Sequence, residues 1–226
     1  MNAQGKRSGE TAREYAYRMI REQVISLELK PGEAFNDMEF AAKIGVSRTP
    51  VREAVIQLSE ESRIIEIFPQ RGMRIAPIDV ELVEEARSLR VLLEKQIAGM
   101  CCEMATEEDI KWLQENVGLQ EFYMENSRPE MVMQLDDEMH HKLFMICHRE
   151  LTYGMCQKLA IHYDRIRSLS VNTVKDNTII EDHRKIIQFI AEHKKENAMA
   201  QMEKHLSRWQ LNEGKFRQEF PDYLRV

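Results

Sequence analysis

The chain has 226 residues, 43% of them hydrophobic and 31% charged, with a formal net charge of −6. That apolar share supports packed cores and excludes a disordered chain. No apolar run approaches the roughly 18 residues that span a bilayer, and Met1–Tyr15 lacks the apolar stretch of a secretory signal, so a cytoplasmic protein with no membrane partner is expected.

The four cysteines, Cys101, Cys102, Cys147 and Cys156, form no C-x-x-C pair and are expected to be buried, reduced thiols. Charge is unevenly distributed. Residues 1–78 carry 12 Lys/Arg against 11 Asp/Glu, and residues 79–226 carry 20 against 27. A near-neutral segment can bind phosphates if its basic groups share a face, so charge permits nucleic-acid binding in the first part without demonstrating it.

In chain order, a first helix is predicted over Thr11–Leu27, with Tyr15, Met19 and Val24 among its apolar positions, and Lys30-Pro31-Gly32 stops it. A short helix follows over Asp37–Ile44, then the turn Gly45-Val46, then a third helix opening at Ser47. There Val51, Ala54, Val55 and Leu58 fall at i, i+3, i+4 and i+7, one apolar stripe. Ile64–Phe68 and Met73–Ala76, joined by Pro69-Gln70-Arg71-Gly72, predict a β-hairpin, with no strand signal after Pro77. Helical patterns then run over about 79–104, 106–126, 129–148, 152–171, 178–194 and 197–219, and the short gaps between them predict an antiparallel bundle. The expected architecture is mainly α: a winged helix-turn-helix of three helices plus a hairpin over 1–78, then an all-α bundle over 79–226.

Such a third helix suits the DNA major groove. Ser47 is placed to cap it with its hydroxyl, and Pro50 is tolerated in the first turn. With the aliphatic stripe facing inward, Arg48, Thr49 and Arg52 point outward near the N-terminus, where free N–H groups favour phosphate. Arg48 and Arg52 share a face, and each can reach a guanine edge. Arg71 and Gly72 sit at the hairpin tip, positioned for a minor groove. Solvated arginines on an ordinary amphipathic helix would give the same Arg-x-x-x-Arg spacing. The full string Gly45-Val46-Ser47-Arg48-Thr49-Pro50-Val51-Arg52-Glu53-Ala54, with Pro31-Gly32-Glu33 before it and Pro69, Arg71 and Gly72 after it, resembles the GntR family of bacterial regulators. The resemblance covers residues 11–78. It implies that Arg48, Thr49 and Arg52 contact an operator, with Arg71 and Gly72 on the wing. In two places the chain departs from the pattern. Ser62-Arg63 stands where the family often has a glycine, and Met38 stands where some members carry a DNA-contacting arginine.

In the helical part, Asp136 and His140 are four apart and share a helix face. His183 and His205 lie about equally far from the turn between the last two predicted helices, which places two imidazoles at one level. Three nitrogens and one oxygen suit a borderline divalent ion such as Zn²⁺ or Ni²⁺. With seven histidines in the chain, spacing alone does not single this set out; His141, His148, His162 and His193 are assigned to surface or packing. The region over 79–220 resembles the FCD ligand-binding domain of the FadR branch of the GntR family. It shares Asp136-x-x-x-His140, Glu181-Asp182-His183 and His205-Leu206, and it departs at Glu150, where an asparagine is usual. The resemblance implies that Asp136, His140, His183 and His205 hold the metal. It also implies that an organic acid binds at open coordination positions, with arginines pairing to its carboxylate. Candidate arginines are Arg90, which matches the family's Arg-x-x-x-Glu with Glu94, and Arg165 or Arg167.

The expectation is therefore a non-enzymatic, homodimeric transcription regulator, most naturally a repressor. It would bind a twofold-symmetric operator and respond to a small carboxylate such as a sugar acid. Two other possibilities remain: a regulator for which the metal itself is the signal, and a DNA-tethered metallohydrolase. The second has the ligands to activate water but lacks a motif such as H-E-x-x-H, since Glu138 and Glu181 stand near the ligands in sequence only.

Overall fold

The computed structural model describes residues 5–173 and 178–225, the side chains at 172, 173, 209, 211 and 212 excepted. The chain forms two compact units, Met1–Val80 with Phe220–Val226, and Glu81–Glu219. The final residues therefore belong with the first unit, whereas the sequence pattern groups them with the helices.

The first unit opens with α1 (Ala12–Ile25). Thr11 caps it: its hydroxyl accepts from Glu14 N–H at 3.2 Å, while the Glu14 carboxylate accepts from Thr11 N–H at 2.8 Å. A two-residue strand, β1 (Ala34–Phe35), precedes α2 (Asp37–Ile44), which is capped by Asn36 and closed by Gly45 at φ 72°, a left-handed position where glycine carries no Cβ penalty. Next comes α3 (Arg48–Ser62). Its Val51, Ala54, Val55 and Leu58 are fully buried, as the stripe predicts, and the helix packs on α1 and α2. Burying each such Val or Leu contributes about 1.5–3 kcal/mol, which anchors the helix and fixes its outward face.

The hairpin is β2 (Ile65–Phe68) and β3 (Gly72–Ile75), with β1 added on the far side in the order β1-β3-β2. The Pro31-Gly32-Glu33 turn is tied to this sheet: Gly32 N–H donates to the Ile75 carbonyl at 2.8 Å, and Ile75 N–H donates to the Glu33 carbonyl at 2.8 Å. Contrary to the expectation of no strand after Pro77, β4 (Ile78–Asp79) pairs in parallel with the chain's last strand, β5 (Leu224–Arg225). Two-residue strands are shorter than any alternation pattern, so sequence periodicity does not reveal them. At the departure from the family pattern, Arg63 itself takes the left-handed conformation, φ 54°, at the end of α3.

The second unit consists of α4 (Val80–Met104, whose first residue lies in the first unit), α5 (Glu107–Glu125), α6 (Pro129–Ile146), α7 (Glu150–Leu159), α8 (Ile161–Thr173), α9 (Thr178–Ala191), α10 (Lys195–Leu206) and α11 (Arg208–Glu219). Two predicted helices are each broken in two. Between α7 and α8 the chain passes from a helix that exposes Leu151, Met155 and Leu159 to one that is largely buried. Neither Pro nor Gly marks the break at Ala160, so packing decides it. The α10–α11 break falls at Ser207, whose hydroxyl donates to the Glu203 carbonyl at 2.8 Å, a back-bond that bends helices. The α7 start carries Glu150, and Arg149 before it provides no side-chain cap. The core is built from apolar faces of α4, α5, α6, α9 and α10, including Ile97, Leu113, Phe144, Ile187 and Met202, and it takes in the thiols Cys101, Cys102 and Cys147. All four cysteines are free and buried.

Candidate functional site

The first candidate surface is the start of α3. Ser47, Arg48, Thr49 and Arg52 are all exposed there, in register with the buried stripe behind them. Ser47 takes the cap position with extended backbone, but contrary to the capping expectation its hydroxyl makes no cap hydrogen bond. Arg48 Nε donates to Oδ1 of the buried Asp37 at 3.0 Å, while the arginine side chain stays 55% exposed. A carboxylate at the start of α2 thus holds the guanidinium in place. At the hairpin turn Arg71 and Gly72 are exposed, and Gly72 sits at φ 99° with nothing within 4 Å of where a Cβ would stand. Met38 is an exposed thioether on α2.

The second candidate site lies inside the helical unit. Along α6 the inward stripe Val132, Leu135, Met139, Leu143 is interrupted by Asp136 and His140, and along α9 the stripe Ile180, Ile186, Ile187 is interrupted by Asp182 and His183. Buried polar groups are tolerated only when they are partnered. Here they converge: one ligand atom each from Asp136, His140, His183 and His205 lie within 4.8 Å of one another. His205 Nε2 is 3.3 Å from His183 Nε2 and 3.3 Å from His140 Nε2, and His183 Nε2 is 3.2 Å from Asp136 Oδ1.

The opposite edge of each ring explains the orientation. His140 Nδ1 lies 2.5 Å from Glu94 Oε2. His183 Nδ1 is 2.8 Å from Gln120 Oε1, and Gln120 spends its own amide N–H on Asn116 Oδ1 at 2.7 Å, which leaves only its carbonyl for the histidine. His205 Nδ1 lies 3.9 Å from Asp182 Oδ2. The Gln120 carbonyl places the His183 ring proton on Nδ1 and aims its Nε2 lone pair at the centre, the arrangement of a metal-ligating imidazole, and carboxylates stand on the Nδ1 side of His140 and His205.

Protonation states agree with this geometry. Burial pushes His183 down, and burial together with the neighbouring imidazoles holds His205 well below the usual histidine value. Burial raises the Asp136 carboxyl, but the Arg167 guanidinium and the imidazoles outweigh it and hold the group ionised. Glu94 is likewise held down to about 2, as Arg90 and His140 outweigh its burial. Ring nitrogens and an ionised carboxylate converging in a buried site suit a cation held between them. On donor chemistry and orientation, these residues fit a divalent metal.

A cavity of about 70 Å³ opens beside the cluster. Asp136 and His205 line it with Arg90, Arg167, Arg208 and Tyr163 on its polar side. Arg90 Nε donates to Glu94 Oε1 at 2.5 Å, Arg167 bonds Asp136, Asp137 and Asp164, and Arg208 bonds Asp182. Of the three arginines expected here, Arg90 and Arg167 face the cavity; Arg165 is fully buried and is not among the lining residues.

Two family models match the chain in the order of its two units: that of the bacterial regulatory proteins, gntR family, over residues 12–75, and that of the FCD domain over residues 85–208. This protein belongs to the gntR family of regulators and carries an FCD domain. It is a DNA-binding transcription regulator, and its relatives are named as regulators, not enzymes. The HTH-type transcriptional repressor RspR of Escherichia coli is 27% identical to it over 92% of this chain and 91% of that protein. The Nta operon transcriptional regulator of Aminobacter aminovorans is 26% identical over 81% and 86%. Among solved structures, E. coli McbR/YncC superposes with a TM-score of 0.76 at 17% identity over 93% of this chain and 99% of that one, a likeness of fold. Among the described residues, no helix of the regulator is long and apolar enough to cross a membrane.

Sequence reasoning overlooks Gln120, Asn116, Asp182 and Arg208. A signal is present: in α5 the buried stripe Leu113, Asn116, Val117, Gln120 carries two amides in core positions, which is rare without a partner to orient. Replacing Gln120 with leucine is expected to lower Zn²⁺ affinity about 10- to 100-fold, measured by competition with a chromogenic chelator, with the metal-free thermal transition little changed. An unchanged affinity would show that His183 needs no help from Gln120.

Proposed function

We propose that this regulator acts in the cytoplasm as a homodimeric repressor. Its two α3 helices read a twofold-symmetric operator, and a small carboxylate bound beside a divalent metal in the FCD domain lowers operator affinity. The observation that carries the DNA half of this reading is the exposed guanidinium pair, Arg48 and Arg52, on a helix whose opposite face is fully buried. Arg48 and Arg52 are assigned to base edges. Ser47 and Thr49, beside the first-turn N–H groups, are assigned to phosphate. Arg71 and Gly72 on the wing are assigned to the minor groove. The repressor sign is supported by the name of the E. coli relative, a transcriptional repressor.

For the sensing half, Asp136, His140, His183 and His205 would hold Zn²⁺ or Ni²⁺, with Arg90 and Arg167 facing the effector's carboxylate. The bound ion supplies a Lewis-acidic partner for a carboxylate oxygen. The chain's own residues orient the four ligands, line the cavity and present guanidinium forks. Effector binding then shifts operator affinity only by its differential affinity for the two states, typically 1–3 kcal/mol.

Footprinting titrations of the Zn²⁺-loaded and chelator-treated protein, each with and without small organic acids, test this function. Two protected half-sites spaced by whole helical turns are expected. An acid should raise the protein concentration needed for protection about 5- to 150-fold, and it should do so only with metal present. Loss of protection on chelation alone would instead make the metal the signal.

A further inference from the structure

Resting on the reading of this cavity as the effector site, we propose that it selects a short-chain aliphatic monocarboxylate and discriminates against a polyhydroxylated sugar acid. Size is the first reason. A dry apolar cavity of about 150 Å³ takes up benzene, and this one offers about 70 Å³. That is room for a few carbon atoms beside the metal ligands.

The chemistry of the walls is the second reason. Cationic groups gather at the metal end, where Arg90, Arg167 and Arg208 share the lining with Asp136 and His205. One turn before Asp136 on α6 the lining is Val132 and Met133, and one turn before His183 on α9 it is Ile179. Among the described residues, Ile166 and Val171 of α8 and Phe216 of α11 add to this wall. The polar side chains nearby lie at the charged end and each has a partner there: Arg90 with Glu94, Arg167 with three carboxylates, Arg208 with Asp182, and the Tyr163 hydroxyl with the Leu206 carbonyl at 3.2 Å. Ser170 adds one small hydroxyl. A carboxylate entering at the charged end therefore projects its tail along aliphatic and aromatic carbon. Among the described residues, that wall offers a tail hydroxyl no equivalent of the water it surrenders beyond Ser170, which disfavours binding.

Butanoate and 3-hydroxypropanoate provide the test. They have the same number of non-hydrogen atoms and differ only by a terminal methyl or hydroxyl. Isothermal titration calorimetry on the full-length Zn²⁺-loaded protein should show butanoate binding about 10- to 100-fold more tightly, and gluconate should give no heat of binding. The Met133→Gln variant places an amide on the aliphatic wall and should narrow the gap between the two short acids. If 3-hydroxypropanoate or gluconate binds as tightly as butanoate, the proposed selectivity is overturned while the cavity remains an acid site. If none of the three binds, the selectivity and the effector site both fall. If butanoate binds selectively yet leaves operator protection unchanged, the chemistry of the cavity stands and its regulatory role does not.

Discussion

Alanine in place of Arg52 is expected to weaken binding at each half-site by about 10- to 100-fold and to relax base preference at one position there. A bidentate guanidinium–guanine pair contributes about 1–3 kcal/mol of discrimination, and in a symmetric dimer the loss occurs in both half-sites. Arg52 is exposed one turn into α3, and its neighbours Val51, Ala54 and Val55 are completely buried, so the truncation removes a surface side chain and leaves the helix seated. Arg48→Ala should behave similarly. Asp37→Asn should have a smaller effect of the same kind, because a buried carboxylate holds Arg48 Nε at 3.0 Å. Competitive footprinting against randomised sites separates these outcomes from simple charge loss. An arginine that only neutralises phosphate would, when removed, weaken binding to all sequences equally and lower the salt slope by about one. If neither arginine variant alters affinity or preference, α3 is not the reading helix.

The second large effect is expected at the metal. His183→Ala should reduce Zn²⁺ affinity by roughly two to three orders of magnitude, one ligand's share of the 10–16 kcal/mol typical of four-ligand zinc sites. It should abolish the response to any acid while leaving operator binding intact. His183 is fully buried, with one ring nitrogen at Gln120 and the other 3.3 Å from His205 Nε2. In the metal-free state its removal also relieves crowding among converging lone pairs. The informative measurement is therefore the metal-induced rise in melting temperature, which reports a stabilisation of RT ln(1 + [L]/Kd) for a ligand bound only by the native state. Wild-type protein should show a large rise and the variant little or none. Equal shifts in the two proteins would place the bound ion elsewhere.

Much of the fold is legible in the sequence because its elements are long relative to their periodicity. The Val51–Leu58 stripe, the turn residues around Gly45 and Gly72 and the helical patterns of the second unit each repeat a local rule several times. Three kinds of feature are not legible. The strands at Ala34–Phe35, Ile78–Asp79 and Leu224–Arg225 are too short to show alternation, and they exist only because a partner segment arrives to satisfy their hydrogen bonds. The break at Ala160 has no residue that forces it. Residue type alone assigns the Ser47 hydroxyl a capping bond, and the side chain does not make it.

At the buried cluster the division is sharper. Residue type and helical spacing determined that Asp136 and His140 share one face and that α3 presents Arg48 and Arg52 opposite its aliphatic stripe, because such relations follow from 3.6 residues per turn within one helix. Only tertiary packing decided that Glu94, Gln120 and Asp182 stand on the far side of the three imidazoles, that Arg167 faces the cavity while Arg165 is buried in the core, and that the chain's last strand returns to the first unit. Those relations join residues far apart in the chain, and their distances depend on how side chains on different helices interlock, which no local repeat encodes.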